Sequence, residues 1–342
     1  MKILFVKLSA IGDVVQTLPA LEAVKKLYPD SEIDWVVEEA ASGILENHPL
    51  IHRLLILRRK KWLRMLSRPG AFGDGLRNVF GFFRDLRSTH YDIAIDFQGL
   101  LKSGLVIGIS RAERKIGFDG TRELSYLFLN ERLPKYDRER HALERYLDIA
   151  RYLGAENPST ACTLPIEREI KAMRARLAGL GIKQGKVVAI NPVARWKTKL
   201  WSEDRFAELA DRLIREKEAT VIFTGSPDDR KITGRICSMM QERAEDLAGA
   251  TTLKELAALA SLSDMFITTD TGPMHIAAAA GARVVALFGP TAPWRTGPYG
   301  AGHLVIRKGL DCSPCFKRRC DTIMCMEEIT VADVMKAVAD LL

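Results

Sequence analysis

Two doubly wound α/β domains are the architecture this sequence predicts, and three observations predict it. Short apolar runs alternate with longer segments of helical period, the rhythm of parallel strands joined by crossover helices. The rhythm runs twice, with a break in the Gly- and Pro-bearing stretch 154–165. The chemically distinctive residues lie directly after strands, at the carboxyl ends where such sheets bind ligands. A length of 342 residues suits two such domains, divided as 1–160 and 161–342.

Residues 3–8 form the first predicted strand. Only four apolar residues precede Lys7, too few for the core of a signal peptide, so the cytosol is the expected compartment. A helix follows over 14–27, with Leu18, Leu21, Val24 and Lys25 at helical spacing. Strands are expected at 33–37, 54–57 and 91–96, with a short one at 116–118. Helical stretches at 141–153 and 166–180 bracket the break. In the second half, strands at 187–191, 220–224, 265–269 and 284–288 alternate with helices at 206–216, 231–241, 253–260 and 274–280.

Four loops at strand ends carry the chemistry. In Lys7-Leu8-Ser9-Ala10-Ile11-Gly12-Asp13-Val14, one glycine stands where a dinucleotide fingerprint needs three. Asp13 opens a helix there. It is a plain N-cap, or a carboxylate kept ionised by the helix dipole and able to act as general base. In Asp270-Thr271-Gly272-Pro273-Met274-His275 a helix start with Pro near its first position offers free N–H groups to an anion. The bland reading is a capped core helix with a satisfied histidine. The segment 191–201 holds Arg195, Lys197 and Lys199, charges that suit a diphosphate or simply a solvated loop. After the strand at 220–224, Asp228 or Asp229 either bonds a ribose or caps a helix.

The net charge of +8 is concentrated. Residues 51–90 hold ten Lys/Arg and two acids, so the rest of the chain balances. Arg58, Arg59, Lys60, Lys61 and Arg64 lie beside Trp62, Leu63, Met65 and Leu66, with Phe72, Phe80, Phe82 and Phe83 further on. Cations interleaved with apolar bulk suit an anionic lipid surface, or a solvated helix whose apolar residues pack inward. Nucleic acid is the alternative that charge alone suggests, but no RNA or DNA module signature accompanies it. No run of roughly 18 apolar residues could form a spanning helix. No Asp-x-Asp metal–diphosphate clamp, Gly-x-Ser-x-Gly elbow or His-Glu-x-x-His occurs. Cys312, Cys315, Cys320 and Cys325 are close enough in sequence to hold zinc tetrahedrally; local disulfides and free thiols are the alternatives.

With Ser9, Ile11, Gly12 and Asp13, the run Asp96-Phe97-Gln98-Gly99-Leu100-Leu101-Lys102-Ser103, the run Lys199-Leu200-Trp201-Ser202 and the 270–275 loop in this order, the chain resembles glycosyltransferase family 9, the ADP-heptose:lipopolysaccharide heptosyltransferases. Trp35-Val36-Val37-Glu38-Glu39 and the 98–103 run are more similar to heptosyltransferase I than to heptosyltransferase II.

The resemblance implies a GT-B fold with an interdomain cleft. It also implies inverting, metal-independent transfer of L-glycero-D-manno-heptose from ADP-heptose to a Kdo hydroxyl of Kdo-lipid A, at the cytoplasmic face of the inner membrane. No cofactor is expected. Asp13 matches the family's proposed base. Lys199 matches a lysine at the donor phosphates, and Asp270, Thr271, Gly272 and His275 match the donor-binding loop. Arg195, Lys197 and Asp228 join the donor set by position. Arg58, Arg59, Lys60, Lys61, Arg64, Gln98 and Lys102 are expected to meet the acceptor. The N-terminal domain would then bind the acceptor and the C-terminal domain the nucleotide sugar. The alternative within this architecture is an enzyme adding a later core or O-antigen sugar from another nucleotide sugar.

Overall fold

The structure is a computed structural model describing residues 1–182 and 185–341, apart from the side chain of Arg122. The chain forms two compact units, Met1–Pro165 and Ile166–Leu342.

The first unit contains β1 (Lys2–Val6), β2 (Glu32–Glu38), β3 (Arg53–Leu57), β4 (His90–Asp96), β5 (Arg111–Phe118) and β6 (Glu131–Leu133). They form one parallel sheet in the order β3-β2-β1-β4-β5-β6. Its helices are α1 (Ile11–Val15), α2 (Leu18–Leu27), α3 (Glu39–Ser42), α4 (Arg59–Leu66), α5 (Phe72–Arg87), α6 (Leu101–Ile109) and α7 (Ala142–Tyr152).

The second unit contains β7 (Lys186–Asn191), β8 (Ala219–Phe223), β9 (Glu245–Asp246), β10 (Met265–Thr269), β11 (Val284–Phe288) and β12 (Leu304–Arg307). Read from β9, their order is β9-β8-β7-β10-β11-β12, the same winding again. Its helices are α8 (Glu167–Gly179), α9 (Glu203–Lys217), α10 (Arg230–Met239), α11 (Leu253–Leu262), α12 (Gly272–Ala279), α13 (Pro293–Thr296), α14 (Met324–Glu327) and α15 (Val331–Leu341).

Central strands read as unbroken apolar runs because a parallel sheet is covered on both faces. Ile3, Leu4, Phe5 and Val6 of β1 are fully buried, as are Phe266 and Ile267 of β10. Leu4, Val6, Val36 and Ala94 pack in one core with Trp62 of α4, Leu86 of α5 and Ile107 of α6. In the second unit, Val188, Phe223, Ile267 and Val285 pack with Phe206 and Leu213 of α9 and Val338 of α15. Each fully buried aliphatic side chain contributes about 1.5–3 kcal/mol before entropy is counted.

Several elements depart from the sequence expectation. The single helix over 14–27 is two. The Thr17 hydroxyl donates to the carbonyl of Asp13 at 2.7 Å, and Pro19 sits in the first turn of α2. Pro19 has no amide to carry the helix ladder back into α1. The strand at 116–118 starts earlier, at Arg111, with a charged first half that hides it from an apolar reading. β6, β9 and β12 are short strands, and the outermost two, β9 and β12, complete the second sheet's edges. α6 and α15 are additional helices.

In each sheet the strand order reverses beside its first strand, between β1 and β4 and between β7 and β10. That reversal point is where a doubly wound sheet opens a ligand crevice at its carboxyl edge. The loops after β1, β4, β7 and β10 carry most of the residues singled out in the sequence.

Candidate functional site

In the first unit the loop after β1 leads to Asp13. It lies in the first turn of α1 and is partly exposed. One carboxylate oxygen accepts the Ala10 N–H at 3.1 Å, so it closes its own helix start. The other accepts the hydroxyl of Tyr146, from α7, at 3.0 Å. The N-cap reading and an accessible carboxylate thus coexist in one side chain.

Behind Tyr146 lies Lys7, the residue following β1. Its ammonium is buried and donates to the Tyr146 oxygen at 2.7 Å and to the Phe97 carbonyl at 3.2 Å. Burial pushes the Lys7 ammonium below its ordinary range, while Asp13 and Asp96 pull it back up. Burial likewise pushes the Tyr146 phenol well up, and the neighbouring Asp13 charge adds to this.

The loop after β4 holds the loop after β1. The Gln98 side-chain oxygen accepts the N–H groups of Leu8 at 3.1 Å and Ser9 at 2.9 Å. Asp96, buried at the end of β4, accepts from the N–H groups of Gln98 and Gly99 and from the Ser103 hydroxyl. Burial raises the Asp96 carboxyl, against those hydrogen bonds. Gly99 sits at φ +65°, a left-handed turn that glycine adopts without strain. Lys102 donates to the Ser9 hydroxyl and to Glu38, both at 2.8 Å. Gln98 and Lys102 are therefore brought to the Asp13 loop, with their polar ends engaged in holding it.

Arg58, Arg59, Lys60, Lys61 and Arg64 are all exposed on or beside α4. Arg58 pairs with Glu39 at 3.3 Å and Arg59 with Glu38 at 3.4 Å. Trp62 is buried and its ring packs 5.4 Å from that of Phe82. The aromatic set read as one surface divides in two. Phe82 and Phe83 pack onto the core, whereas Phe72, Leu76 and Phe80 recur every fourth residue along the exposed side of α5.

In the second unit Lys199 ends a short 3₁₀ turn (Lys197–Lys199) in the loop after β7. Its ammonium lies 2.5 Å from the Asp270 carboxylate, which also accepts the Thr291 hydroxyl at 2.6 Å. Asp270 thus acts inward, orienting the lysine. The Lys199 ammonium also lies 4.6 Å from the centre of the Trp196 ring, and the Arg318 guanidinium 4.8 Å from it. Thr269 ties the end of β10 to the Val193 carbonyl, and Thr198 ties the turn to the Lys317 carbonyl.

α12 begins after Thr271, whose side chain makes no capping bond to the helix amides. Gly272 adds no side-chain bulk, and Pro273 follows. A helix start of this kind, with free amides and the positive end of the dipole, is one that can receive an anion. His275 is buried near the helix start. Arg195 and Lys197 are exposed. Asp229 accepts the Ser226 N–H at 2.8 Å and hydroxyl at 2.6 Å, whereas Asp228 is exposed.

Sequence reasoning missed Tyr146, Thr291 and Arg318 as neighbours of these candidate residues. A usable signal existed for Lys7, a cation closing an otherwise apolar strand. All six cysteines are free thiols, Cys325 buried and Cys312 and Cys320 exposed. Among the described residues no three His, Cys, Asp or Glu side chains stand as ligands for one metal ion. Among them, too, no helix is long and apolar enough to cross a membrane.

A sequence model of glycosyltransferase family 9 (heptosyltransferase) matches residues 79–324. The chain is similar to lipopolysaccharide heptosyltransferase 1 of Pseudomonas aeruginosa, at 30% identity over 324 residues, covering 94% of this chain and 87% of that one. It is similar to lipopolysaccharide heptosyltransferase 3 of Escherichia coli, at 31% identity over 289 residues, covering 82% and 80%. Among solved structures, E. coli heptosyltransferase WaaC with ADP aligns over 100% of both chains, with a TM-score of 0.80 and 24% identity. E. coli ADP-heptose lps heptosyltransferase II aligns over 100% of this chain and 98% of its own, with a TM-score of 0.78 and 23% identity. At these identities the structural matches establish a shared GT-B fold.

Proposed function

The chain belongs to glycosyltransferase family 9 and is a glycosyltransferase; from that premise we propose that it transfers L-glycero-D-manno-heptose, with inversion, from ADP-heptose to a Kdo hydroxyl of Kdo-lipid A in lipopolysaccharide core assembly. The observation that carries the reading is one kind of charge at each reversal point. A partly exposed carboxylate, Asp13, stands in the first unit, and an oriented cation beside an uncapped helix start, Lys199 with α12, stands in the second.

Asp13 takes the proton of the attacking Kdo hydroxyl as the new bond forms at the anomeric carbon. The bond from that carbon to the diphosphate oxygen breaks, and ADP leaves with the electron pair. Lys199, the exposed Arg195 and Lys197, and the α12 amides bear the charge that develops on the diphosphate. No metal is assigned a step. Asp228 is assigned to the ribose and His275 to the donor loop. The relatives include heptosyltransferases of types 1 and 3. Preference for type I rests on the 35–39 and 98–103 stretches, which meet in the Lys102–Glu38 ion pair.

The α4–α5 face is assigned to the acceptor and its membrane. Arg58, Arg59, Lys60, Lys61 and Arg64 pair with acceptor phosphates and carboxylates. The Phe72, Leu76 and Phe80 row, with exposed Leu63, meets the apolar boundary of an anionic leaflet. This makes the enzyme peripheral at the cytoplasmic face of the inner membrane. A nucleic-acid-binding protein leaves the family membership unexplained.

A panel of nucleotide sugars with Kdo-lipid A, run with EDTA present, tests the reading. ADP-heptose should be turned over and EDTA should leave the rate unchanged. Turnover of another nucleotide sugar, or a requirement for an acceptor already carrying heptose, would establish the later-sugar alternative instead.

A further inference from the structure

We propose that Tyr146, oriented by the buried Lys7, is the positioning residue of Asp13: it aims one carboxylate oxygen and sets how readily that carboxylate takes a proton. The inference rests on the reading of Asp13 as the general base.

The direction of the hydrogen bonds follows from the donor inventory. A lysine ammonium only donates, so at 2.7 Å the Tyr146 oxygen is the acceptor. The phenol has one proton, and at 3.0 Å it goes to Asp13. Lys7 cannot swing away, because it also donates to the Phe97 carbonyl and its own carbonyl accepts the Trp35 indole N–H at 3.1 Å. The Tyr146 ring is fixed edge-on to Phe97, with centres 6.1 Å apart. The chain of donors thus runs one way, from ammonium to phenol to carboxylate.

Tyr146 and Lys7 are buried, so substrate reaches only Asp13. A hydrogen bond donated to the carboxylate favours its ionised form. The other charged or titratable groups acting on this pair are Asp96 from β4, Arg145 from α7, Lys102 from α6 and Tyr136. They are present in every variant below, so a shift between variants belongs to Tyr146 and Lys7.

The test is steady-state kinetics of the full-length enzyme across pH, for Tyr146→Phe, Lys7→Met with Tyr146→Phe, and Asp13→Asn. Losing a hydrogen bond to a charged group should lower kcat by roughly ten- to hundred-fold in Tyr146→Phe. The donor KM should hold, and the acidic limb of the kcat/KM profile should move to higher pH. The double variant leaves no unpaired buried ammonium and also loses the Lys7 charge near Asp13, so its acidic limb should move in the same direction and at least as far, and it carries the test if the single variant does not fold. An unshifted profile with normal kcat, beside an inactive Asp13→Asn, would overturn the positioning role. Equal damage to kcat and donor KM with no shift would do the same. Near-normal turnover in Asp13→Asn would instead remove the base reading itself.

Discussion

At the residue scale, the two candidate sites differ in how their charges are kept in place. Asp13 is partly exposed and accepts hydrogen bonds from Ala10 and Tyr146. Lys199 forms a tight, largely buried pair with Asp270, which Thr291 also satisfies. An ammonium has three donors, so Lys199 can bond Asp270 and still offer N–H groups to a phosphate. Replacing it by Ala removes that donor and leaves the Asp270 carboxylate without its cation. Lys199→Ala should therefore weaken ADP binding by about tenfold or more, at the strength of a charge-assisted bond. Calorimetric titration with ADP checks this, and an unchanged Kd would take Lys199 out of the phosphate site. Much of this scale was readable from local motifs. Asp13, Lys199 and Asp270 lie in the segments that follow β1, β7 and β10, and a charge after an apolar run is visible in one dimension. Tyr146 was not readable. It lies on α7, far along the chain from Lys7 and Asp13, and only the packing of α7 brings it to them.

At the element scale, the α4–α5 pair shows one helix with two apolar faces. Leu86 is fully buried and Phe82 packs on Trp62, while Phe80 is 69% exposed. Periodicity alone registers the apolar residues without separating these faces, so Phe82 and Phe83 read together with Phe72 and Phe80 in the sequence. Phe80→Asp should leave folding stability within about 0.5 kcal/mol, as surface substitutions generally do. It should weaken binding to vesicles containing anionic phospholipid by about tenfold or more, the share of one large side chain. Leu86→Ala is the converse and should cost about 2–5 kcal/mol of stability. Vesicle co-sedimentation and denaturant unfolding separate the two effects. Full vesicle binding by Phe80→Asp would remove the row from the membrane assignment.

At the scale of the whole molecule, one winding is used twice, each time round its own core. The expected result by calorimetry of the intact chain is two transitions. ADP at a hundred times its Kd should raise one of them, by about 2.7 kcal/mol, through selective stabilisation of the unit carrying Lys199 and α12. A single transition raised as a whole would mean that the units unfold together. The sequence by itself determined the alternation of strand and helix, the central strands and the charged loops at their ends. Those properties are local, because a strand covered on both faces must be an apolar run wherever it lies in the sheet. Only the tertiary structure decided the strand order, the polar edge strand β9, the inward turn of Phe82 and Phe83, and the Lys7–Tyr146–Asp13 chain. Each of these depends on which distant segment packs alongside. A two-residue strand such as Glu245–Asp246 has no signal of its own and exists because β8 presents it an open edge.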